Sequence, residues 1–149
     1  MFVIIKVVLL NEEHTDNLLK LENKCFSKPW TANMFVGDLK SEHTRYLGAF
    51  AENDDLVGYI GMWNAGDAGE ITNVAVHPDY RRKGIATLLM DELCSFSQDS
   101  GLKQLNLEVR ESNGGAIALY EEFGFEKVGL RKNYYKNPAE NALLMTKTF

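Results

Sequence analysis

The stretch ITNVAVHPDYRRKGIATLL, residues 71–89, joins a predicted strand to a predicted helix through a basic loop that contains one glycine. Residues 70–76 (EITNVAV) are typical of a strand. Residues 84–101 predict an amphipathic helix with one apolar face. That face carries Ile85, Leu88, Leu89, Leu93 and Phe96. The basic loop therefore leads from the end of a strand directly into the N-terminus of a helix.

The chemistry of this loop suits an anion. A helix N-terminus has unpaired backbone N–H groups and a partial positive charge, and it binds phosphate. Gly84 lets the backbone approach an anion closely, and Ala86 keeps the first helical turn uncluttered. The loop is neither a Walker loop nor a dinucleotide fingerprint, because GxxxxGK and GxGxxG are both absent. The local pattern alone fits an anion-binding loop and a solvated basic turn equally well.

The rest of the chain alternates predicted strands and helices, without repeats or flexible linkers. Strands are predicted at 3–10, 45–51, 56–63, 104–110, 125–131 and 141–148, and helices at 12–25, from Thr31 through Leu39, and at 114–123. With the elements at 70–76 and 84–101, the order is β-α-α-β-β-β-α-β-α-β-β. We therefore predict one α/β domain over residues 1–149, with helices packed on a mixed sheet.

Composition excludes several classes of function. The chain has 149 residues, of which 45% are hydrophobic and 25% charged, as in an ordinary globular domain. A net charge of −5 argues against a protein that binds nucleic acid by neutralising phosphates. The apolar run at residues 1–10 is interrupted by Lys6 and is too short to span a membrane. Cys25 and Cys94 form no metal-binding pattern and predict small buried side chains rather than a disulfide. We predict a cytoplasmic protein with no metal and no nucleic-acid or membrane partner.

A second informative stretch is LNLEVRESNGGAIALYEEFGF, residues 105–125. Alternation places Leu105, Leu107 and Val109 on one face of a strand and Glu108 on the other, polar face. Tyr120 lies at helical spacing from apolar residues on the element that follows. Taken singly, Glu108 fits an exposed carboxylate and Tyr120 fits a core tyrosine with its hydroxyl at the surface.

The loop Arg81-Arg82-Lys83-Gly84-Ile85-Ala86 resembles the R/Q-x-x-G-x-G/A loop of the GNAT superfamily of N-acetyltransferases, and the element order matches over essentially the whole chain. The resemblance implies the GNAT fold, a mostly antiparallel, twisted mixed sheet of about seven strands flanked by four helices. It also implies acetyl-CoA as co-substrate. The implied cofactor-binding residues are Val74, Ala75 and Val76 on the strand, Arg81, Arg82, Lys83, Gly84, Ile85, Ala86 and Thr87 in the loop and first helical turn, and Asn113.

The segments LEVRESNGGAIALYEEFGF (107–125), RKNYY (131–135) and CFSKPWTANMF (25–35) resemble one GNAT subfamily, the ribosomal-protein-alanine N-acetyltransferases. This resemblance implies Glu108 as general base and Tyr120 as general acid. It implies acceptor contacts at Trp30, Glu70 and Tyr134. The expected acceptor is the N-terminal α-amine of a protein, specifically a small-subunit ribosomal protein that begins with alanine, serine or threonine. We expect direct attack on the thioester and a monomer or weak dimer.

Alternatives remain open at this stage. Glu70 competes for the role of base, because some acetyltransferases of the superfamily use a carboxylate on that strand. His77 is a further candidate, although its position before Pro78 is more typical of a solvated turn. Tyr134 and Tyr135 would either line a peptide groove or pack at the sheet edge. The same fold could also acetylate a small amine or an internal lysine, or serve as a non-catalytic acyl-CoA-binding module.

Overall fold

The fold is a seven-stranded sheet with helices on both faces. The computed structural model describes residues 4–149. Its strands are β1 (Lys6–Leu9), β2 (Thr44–Phe50), β3 (Leu56–Ala65), β4 (Ala68–Val76), β5 (Gln104–Arg110), β6 (Glu126–Tyr135) and β7 (Glu140–Thr148), and its α-helices are α1 (Thr15–Cys25), α2 (Ala32–Lys40), α3 (Ile85–Asp99) and α4 (Gly114–Glu122). The predicted element order is confirmed. The predicted first strand began at Val3, which lies outside the described residues.

The strands lie side by side in the order β1-β2-β3-β4-β5-β7-β6. All neighbouring pairs are antiparallel except β4 and β5, which run parallel. The predicted fold class, a mixed and mostly antiparallel sheet flanked by helices, is therefore confirmed. β6 is longer than the predicted strand at 125–131, because the ladder resumes at Tyr135 after an irregular segment.

Local capping sets the helix boundaries. The Thr31 hydroxyl accepts a hydrogen bond from the Met34 backbone N–H at 3.3 Å, which confirms the predicted start of α2. The Asn113 side chain caps α4 by accepting from the Ala116 N–H at 3.2 Å. After α3, Gly101 adopts a left-handed φ of +84°, as expected for the residue that follows a helix.

Each face of the sheet has its own hydrophobic core. On one face, α3 and α4 cover Leu105, Leu107 and Val109 of β5. On the other face, α1 and α2 cover an aromatic cluster of Phe35, Tyr46 and Tyr59. The rings of Tyr46 and Tyr59 stack with centroids 5.9 Å apart. The polar side chains of β5, including Glu108, therefore lie on the α1/α2 face.

The parallel pair β4–β5 separates soon after it begins. The two strands pair only from Ala68–Gln104 to Glu70–Asn106. Just beyond, the register between β3 and β4 shifts, because Gly61 lies opposite Asn73 while Met62 lies opposite Ile71. The extra residue, Thr72, makes a β-bulge, and a bulge bends its strand. The rest of β4 thus diverges from β5 and leaves a gap in the middle of the sheet.

None of the helices within residues 4–149 combines the length and the apolar character needed to cross a membrane.

Candidate active site

A cavity of about 180 Å³ lies in the gap between β4 and β5, and we call it the inter-strand cavity. It is lined by residues 71–74 of β4, residues 107–110 of β5, Asn113, Tyr120 and Tyr135. The structure thus brings together the two predicted catalytic residues, Glu108 and Tyr120, with Asn113. Because the sheet is open here, side chains from both of its faces reach one space.

Glu108 enters this cavity from the α1/α2 face. Its carboxylate is 31% exposed, and its Oε1 lies 3.3 Å from Nε of Arg131. The Tyr134 hydroxyl faces the same carboxylate, whose hydrogen-bonding influence and negative charge raise the pKa of Tyr134 above its ordinary value. A half-exposed carboxylate beside a cavity, reached by solvent, is suited to accept a proton and pass it on.

Tyr120 belongs to the opposite face. It is 7% exposed and packs in the α3/α4 core with its ring centroid 5.9 Å from that of Phe125. Burial, with a smaller contribution from nearby Tyr135, raises the pKa of Tyr120 to about 12. The hydroxyl is therefore a neutral donor at physiological pH. It has no hydrogen-bond partner among residues 4–149, so it is available to a ligand in the cavity.

Tyr135 lines the cavity, whereas Tyr134 was the residue predicted to contact substrate. The two rings meet edge to face with centroids 5.1 Å apart. Arg110 lies over the Tyr135 ring at 4.4 Å. Period-two alternation from the sequence could not choose between the two tyrosines, because β6 bulges between Arg131 and Tyr135. Tyr134 lies beside Glu108, and its contact with substrate stays a prediction.

A second cavity, of about 190 Å³, lies at the start of α3, and we call it the loop cavity. It is lined by Val76, Tyr80, Arg81, Arg82 and residues 84–87. The predicted anion-binding loop therefore encloses a concave site. The backbone N–H groups of the first turn of α3 lack partners within the helix and are free for an anion.

The loop backbone at this cavity is left-handed at two positions. Gly84 has a φ of +81°, and a Cβ built there would have no atom within 4 Å. Arg82 has a φ of +62°, which costs a non-glycine residue about 1–2 kcal/mol. Strain of this kind persists where surrounding structure enforces it, and it is common at binding sites.

The basic side chains of the loop have different positions. Arg81 lines the loop cavity, and its Nε donates to the carbonyl of Val76 at 3.0 Å, which ties the loop back to β4. Lys83 does not line the cavity, and its Nζ lies 5.3 Å from the ring centroid of Tyr80. Tyr80 was missed by the sequence analysis, because nothing in HPDY marks a tyrosine as part of a binding loop.

The three predicted strand residues, Val74, Ala75 and Val76, divide into two groups. The His77 N–H donates to the carbonyl of Val57 at 2.8 Å. Since successive residues of a strand alternate in direction, Ala75 also directs its backbone groups toward β3. Ala75 is buried in the α1/α2 core, and its predicted contact with the cofactor stays a prediction. Val74 directs its backbone groups into the gap, and Val76 directs its N–H there, where an extended ligand could pair with them. The carbonyl of Val76 is already bonded by Arg81 and Cys25.

Two further predicted substrate contacts lie away from the inter-strand cavity. Trp30 packs on Phe35 with ring centroids 5.3 Å apart. Glu70 accepts a hydrogen bond at 2.9 Å from the amide of Asn106, whose oxygen accepts from Thr146 at 2.6 Å. These contacts give Trp30 and Glu70 a structural role in the fold. Their roles in binding substrate stay predictions.

The alternative base His77 has a local role, because its Nδ1 accepts from the Asp79 N–H at 3.1 Å and caps the turn at Pro78–Tyr80.

A buried polar network lies behind the inter-strand cavity. The carboxyl of Glu22, 3% exposed, accepts from the Tyr59 hydroxyl at 2.8 Å and from the Trp30 N–H at 3.3 Å. The amide of Asn73 donates to the Tyr59 hydroxyl at 3.4 Å. The Tyr46 hydroxyl, which donates to Asp38 Oδ2 at 2.7 Å, lies 3.5 Å from the Asn73 oxygen. The network fixes the cavity residue Asn73 to α1. Sequence analysis missed it, because a lone glutamate in a helical pattern reads as exposed.

The cysteines offer no nucleophile. Both are free, and burial raises the pKa of each thiol. The Cys25 thiol donates to the carbonyl of Val76 at 3.4 Å. A neutral thiol is a poor nucleophile, so the site favours direct transfer over a covalent enzyme intermediate. Within residues 4–149, no three His, Cys, Asp or Glu side chains cluster closely enough to hold a metal ion.

The sequence model of the acetyltransferase (GNAT) family matches residues 15–125. The chain therefore belongs to this family of acetyltransferases. It is 35% identical over 135 residues to the ribosomal protein bS18-alanine N-acetyltransferase of Haemophilus influenzae, covering 87% of this chain and 89% of that protein. It is 33% identical over 128 residues to the enzyme of the same description from Escherichia coli K12, covering 84% of each. The crystal structure of the Escherichia coli ribosomal-protein-S18-alanine N-acetyltransferase superposes with a TM-score of 0.90 at 28% identity, covering 97% of this chain and 94% of that one.

Proposed function

We propose that this acetyltransferase transfers the acetyl group of acetyl-CoA to the N-terminal α-amine of a protein, by direct attack in a ternary complex. The acceptor we propose is the alanine N-terminus of ribosomal protein bS18, on which the named relatives act. The observation that carries the proposal is the meeting of Glu108 and Tyr120 in one cavity, from opposite faces of the sheet. A cytoplasmic location suits the two free cysteines.

The residues present fit acetyl-CoA, the acetyl donor of this family. The loop cavity offers a helix N-terminus and two arginines to a pyrophosphate group. Val74 and Val76 offer backbone groups along the gap to an extended arm. The side-chain oxygen of Asn113 caps α4, which leaves its amide nitrogen for the ligand. When bound, acetyl-CoA supplies an acetyl group as a thioester, which a neutral amine attacks directly.

Glu108 is the proposed base. An ammonium loses two protons on its way to an amide. Glu108 accepts a proton from the acceptor nitrogen, directly or through a water, and releases it to solvent from its exposed side. The second proton ends on the sulfur of coenzyme A, in place of the acetyl carbon that was bonded to it. Protons and charge then balance, with one proton released for each acetyl group transferred.

Tyr120 is the proposed donor to the sulfur as the bond between sulfur and the acetyl carbon breaks. A thiol has an ordinary pKa of about 8.5, while the pKa of Tyr120 is about 12. Full proton transfer from the phenol would therefore be uphill by about 5 kcal/mol. A hydrogen bond that strengthens as the sulfur gains charge has no such cost. We therefore assign Tyr120 to stabilising the leaving sulfur, rather than to complete proton donation.

An α-amine is easier to deprotonate at this site than the side-chain amine of a lysine. The α-amine has a pKa of about 7.7–8.0, so about one molecule in six to ten is neutral at pH 7. A lysine amine, with a pKa of about 10.4, would demand roughly 3 kcal/mol more for the same deprotonation. The half-exposed carboxylate of Glu108 suits the easier of these tasks.

The test is a panel of acceptors incubated with labelled acetyl-CoA. It contains a peptide that begins with alanine and carries an internal lysine, the same peptide with a blocked α-amine, and a polyamine. We expect label only on the free α-amine. Label on the blocked peptide or on the polyamine would assign the chain to lysine or small-amine acetylation. Binding of acetyl-CoA without transfer to any amine would make it a non-catalytic binding module.

A further inference from the structure

The carboxylate of Glu108 already has a cationic partner. Its Oε1 lies 3.3 Å from Nε of Arg131, and the same carboxylate raises the pKa of the neighbouring Tyr134 hydroxyl. The side chain of Arg131 is 57% exposed, and its guanidinium lies 5.8 Å from the ring centroid of Tyr134. An ammonium that pairs with Oε1 of Glu108 would compete with this guanidinium.

Arg131 differs from its neighbour Arg110 in how firmly it is held. Arg110 bonds Glu140 at 3.2 Å and the carbonyls of Pro138 and Lys136 at 3.1 and 3.2 Å. Those bonds make Arg110 part of the β6–β7 connection. Among residues 4–149, Arg131 has Glu108 as its ion-pair partner and the Tyr134 ring as its stacking partner. An exposed pair of this kind is worth about 0.2–1 kcal/mol, so Arg131 can leave at little cost.

The backbone around Arg131 explains its reach. Arg131 lies opposite Ala142 of β7, and the next paired residue of β6, Tyr135, lies opposite Glu140. Three residues of β6 therefore bulge out opposite a single residue of β7. Asn133 within this bulge has a φ of +54°, and its N–H donates to the side chain of Asn141 at 3.0 Å. The bulge brings the side chains of Arg131 and Tyr134 over the strand that carries Glu108.

We propose that Arg131 is a specificity-determining residue that occupies the cation site at Glu108 until the charged α-amine of the acceptor displaces it. This inference rests on the proposed function. The acceptor then binds as an ammonium, pairs with Glu108, and loses its proton there. An acceptor without a positive charge at its N-terminus gains no ion pair in exchange for the one it breaks, so it binds less well. Arg131 thus selects for charged amines at the point of binding, and it takes no part in the chemical step.

The test compares Arg131→Gln, Arg131→Lys and the wild type on a peptide that begins with alanine. We expect Arg131→Gln to lower KM for the peptide about two- to fivefold, the range of an exposed ion pair, with kcat within twofold of the wild type. Arg131→Lys keeps the charge and should restore the wild-type KM. Lys132→Gln removes a charge from the adjacent, exposed residue and is the matched control, with KM unchanged.

A second probe separates the cation site from general effects on peptide binding. The same peptide with a hydroxyl in place of its α-amine is used as a competitive inhibitor, and its inhibition constant should fall by a larger factor than KM in Arg131→Gln, because the guanidinium that disfavours an uncharged terminus is gone. A KM for the α-amine peptide that is unchanged or higher in Arg131→Gln would overturn the proposal. Failure of the wild type to acetylate any α-amine would instead overturn the proposed function, so the two failures are distinguishable.

Discussion

Glu108 and Tyr120 line one cavity although they belong to opposite faces of the sheet. Glu108 projects from β5 on the face covered by α1 and α2, and Tyr120 packs in the core under α3 and α4. They meet because β4 and β5 separate after Glu70 and Asn106. A group held in that gap can be approached by a base from one side and by a hydrogen-bond donor from the other.

Glu108→Gln should lower kcat/KM for an alanine-starting peptide by about 10²–10⁴-fold, because an amide cannot accept the proton. Binding of acetyl-CoA, measured by calorimetry, should change less than twofold. Glu111→Gln is the control, because Glu111 is an exposed carboxylate in the turn just after the same strand. Full activity of Glu108→Gln would show that Glu108 is not the base.

Tyr120→Phe should lower kcat about 10²-fold, the scale of losing one hydrogen bond to developing charge. The pH profile of the wild type tests how the hydroxyl acts. Because the pKa of Tyr120 is about 12, its deprotonation should cause no loss of activity between pH 8 and 10. A fall in wild-type activity above pH 9 that is absent from Tyr120→Phe would contradict this assignment.

The raised pKa of Tyr120 also predicts how stability changes at high pH. A tyrosine ionises near pH 10 in the unfolded chain and near pH 12 at Tyr120 of the folded protein. Between these values the unfolded chain binds fewer protons, so the free energy of unfolding falls as pH rises. The contribution is fully present below pH 10 and amounts to at most about 2–3 kcal/mol. The free energy of unfolding, measured with urea, should fall less between pH 8 and pH 11 in Tyr120→Phe than in the wild type. Equal falls would show that Tyr120 ionises normally.

A comparison of Gly84→Ala with Gly101→Ala should distinguish the effect of backbone strain on stability from an effect on ligand binding. Both glycines have a left-handed φ, +81° and +84°, and a Cβ at either would have no atom within 4 Å. Each variant should lose about 1–2 kcal/mol of unfolding free energy, the cost of a left-handed non-glycine residue. Only Gly84→Ala should also weaken acetyl-CoA binding, because Gly84 lines the loop cavity. Equal affinity of the two variants for acetyl-CoA would show that this loop does not bind the cofactor.

The buried bond between Glu22 and Tyr59 should be measurable as a coupling energy. Glu22→Leu leaves the Tyr59 hydroxyl and the Trp30 N–H without their acceptor, which costs about 1–3 kcal/mol for each unsatisfied donor. Tyr59→Phe removes one of those donors, so the double variant should lose less stability than the two single variants summed. Glu13→Leu, at an exposed position, is the control for the added leucine. Additive losses in urea unfolding would show that the bond contributes no stability.

Much of the candidate site could be predicted because its signals are local. The polar face of β5 follows from alternation, which places Glu108 on that face, and the cap at Thr31 follows from residue type. Glu22, which the sequence analysis missed, depends on contacts between elements distant in the chain. Glu22 reaches Tyr59 across 37 positions, and no pattern of spacing encodes that bond.

The sequence by itself determined the order of the elements and the membership of the fold class, and its resemblance to the family supplied the candidate acid–base residues. Periodicity and capping act over a few residues, so they can be read without knowing what packs against what. Only the tertiary structure decided that Val74 and Val76 face the gap while Ala75 is buried, that Tyr135 lines the cavity, and that Arg131 covers Glu108. Each of these depends on a β-bulge, in β4 or in β6. A bulge resets the alternation of a strand, and its position is fixed by pairing with a neighbour that lies elsewhere in the chain.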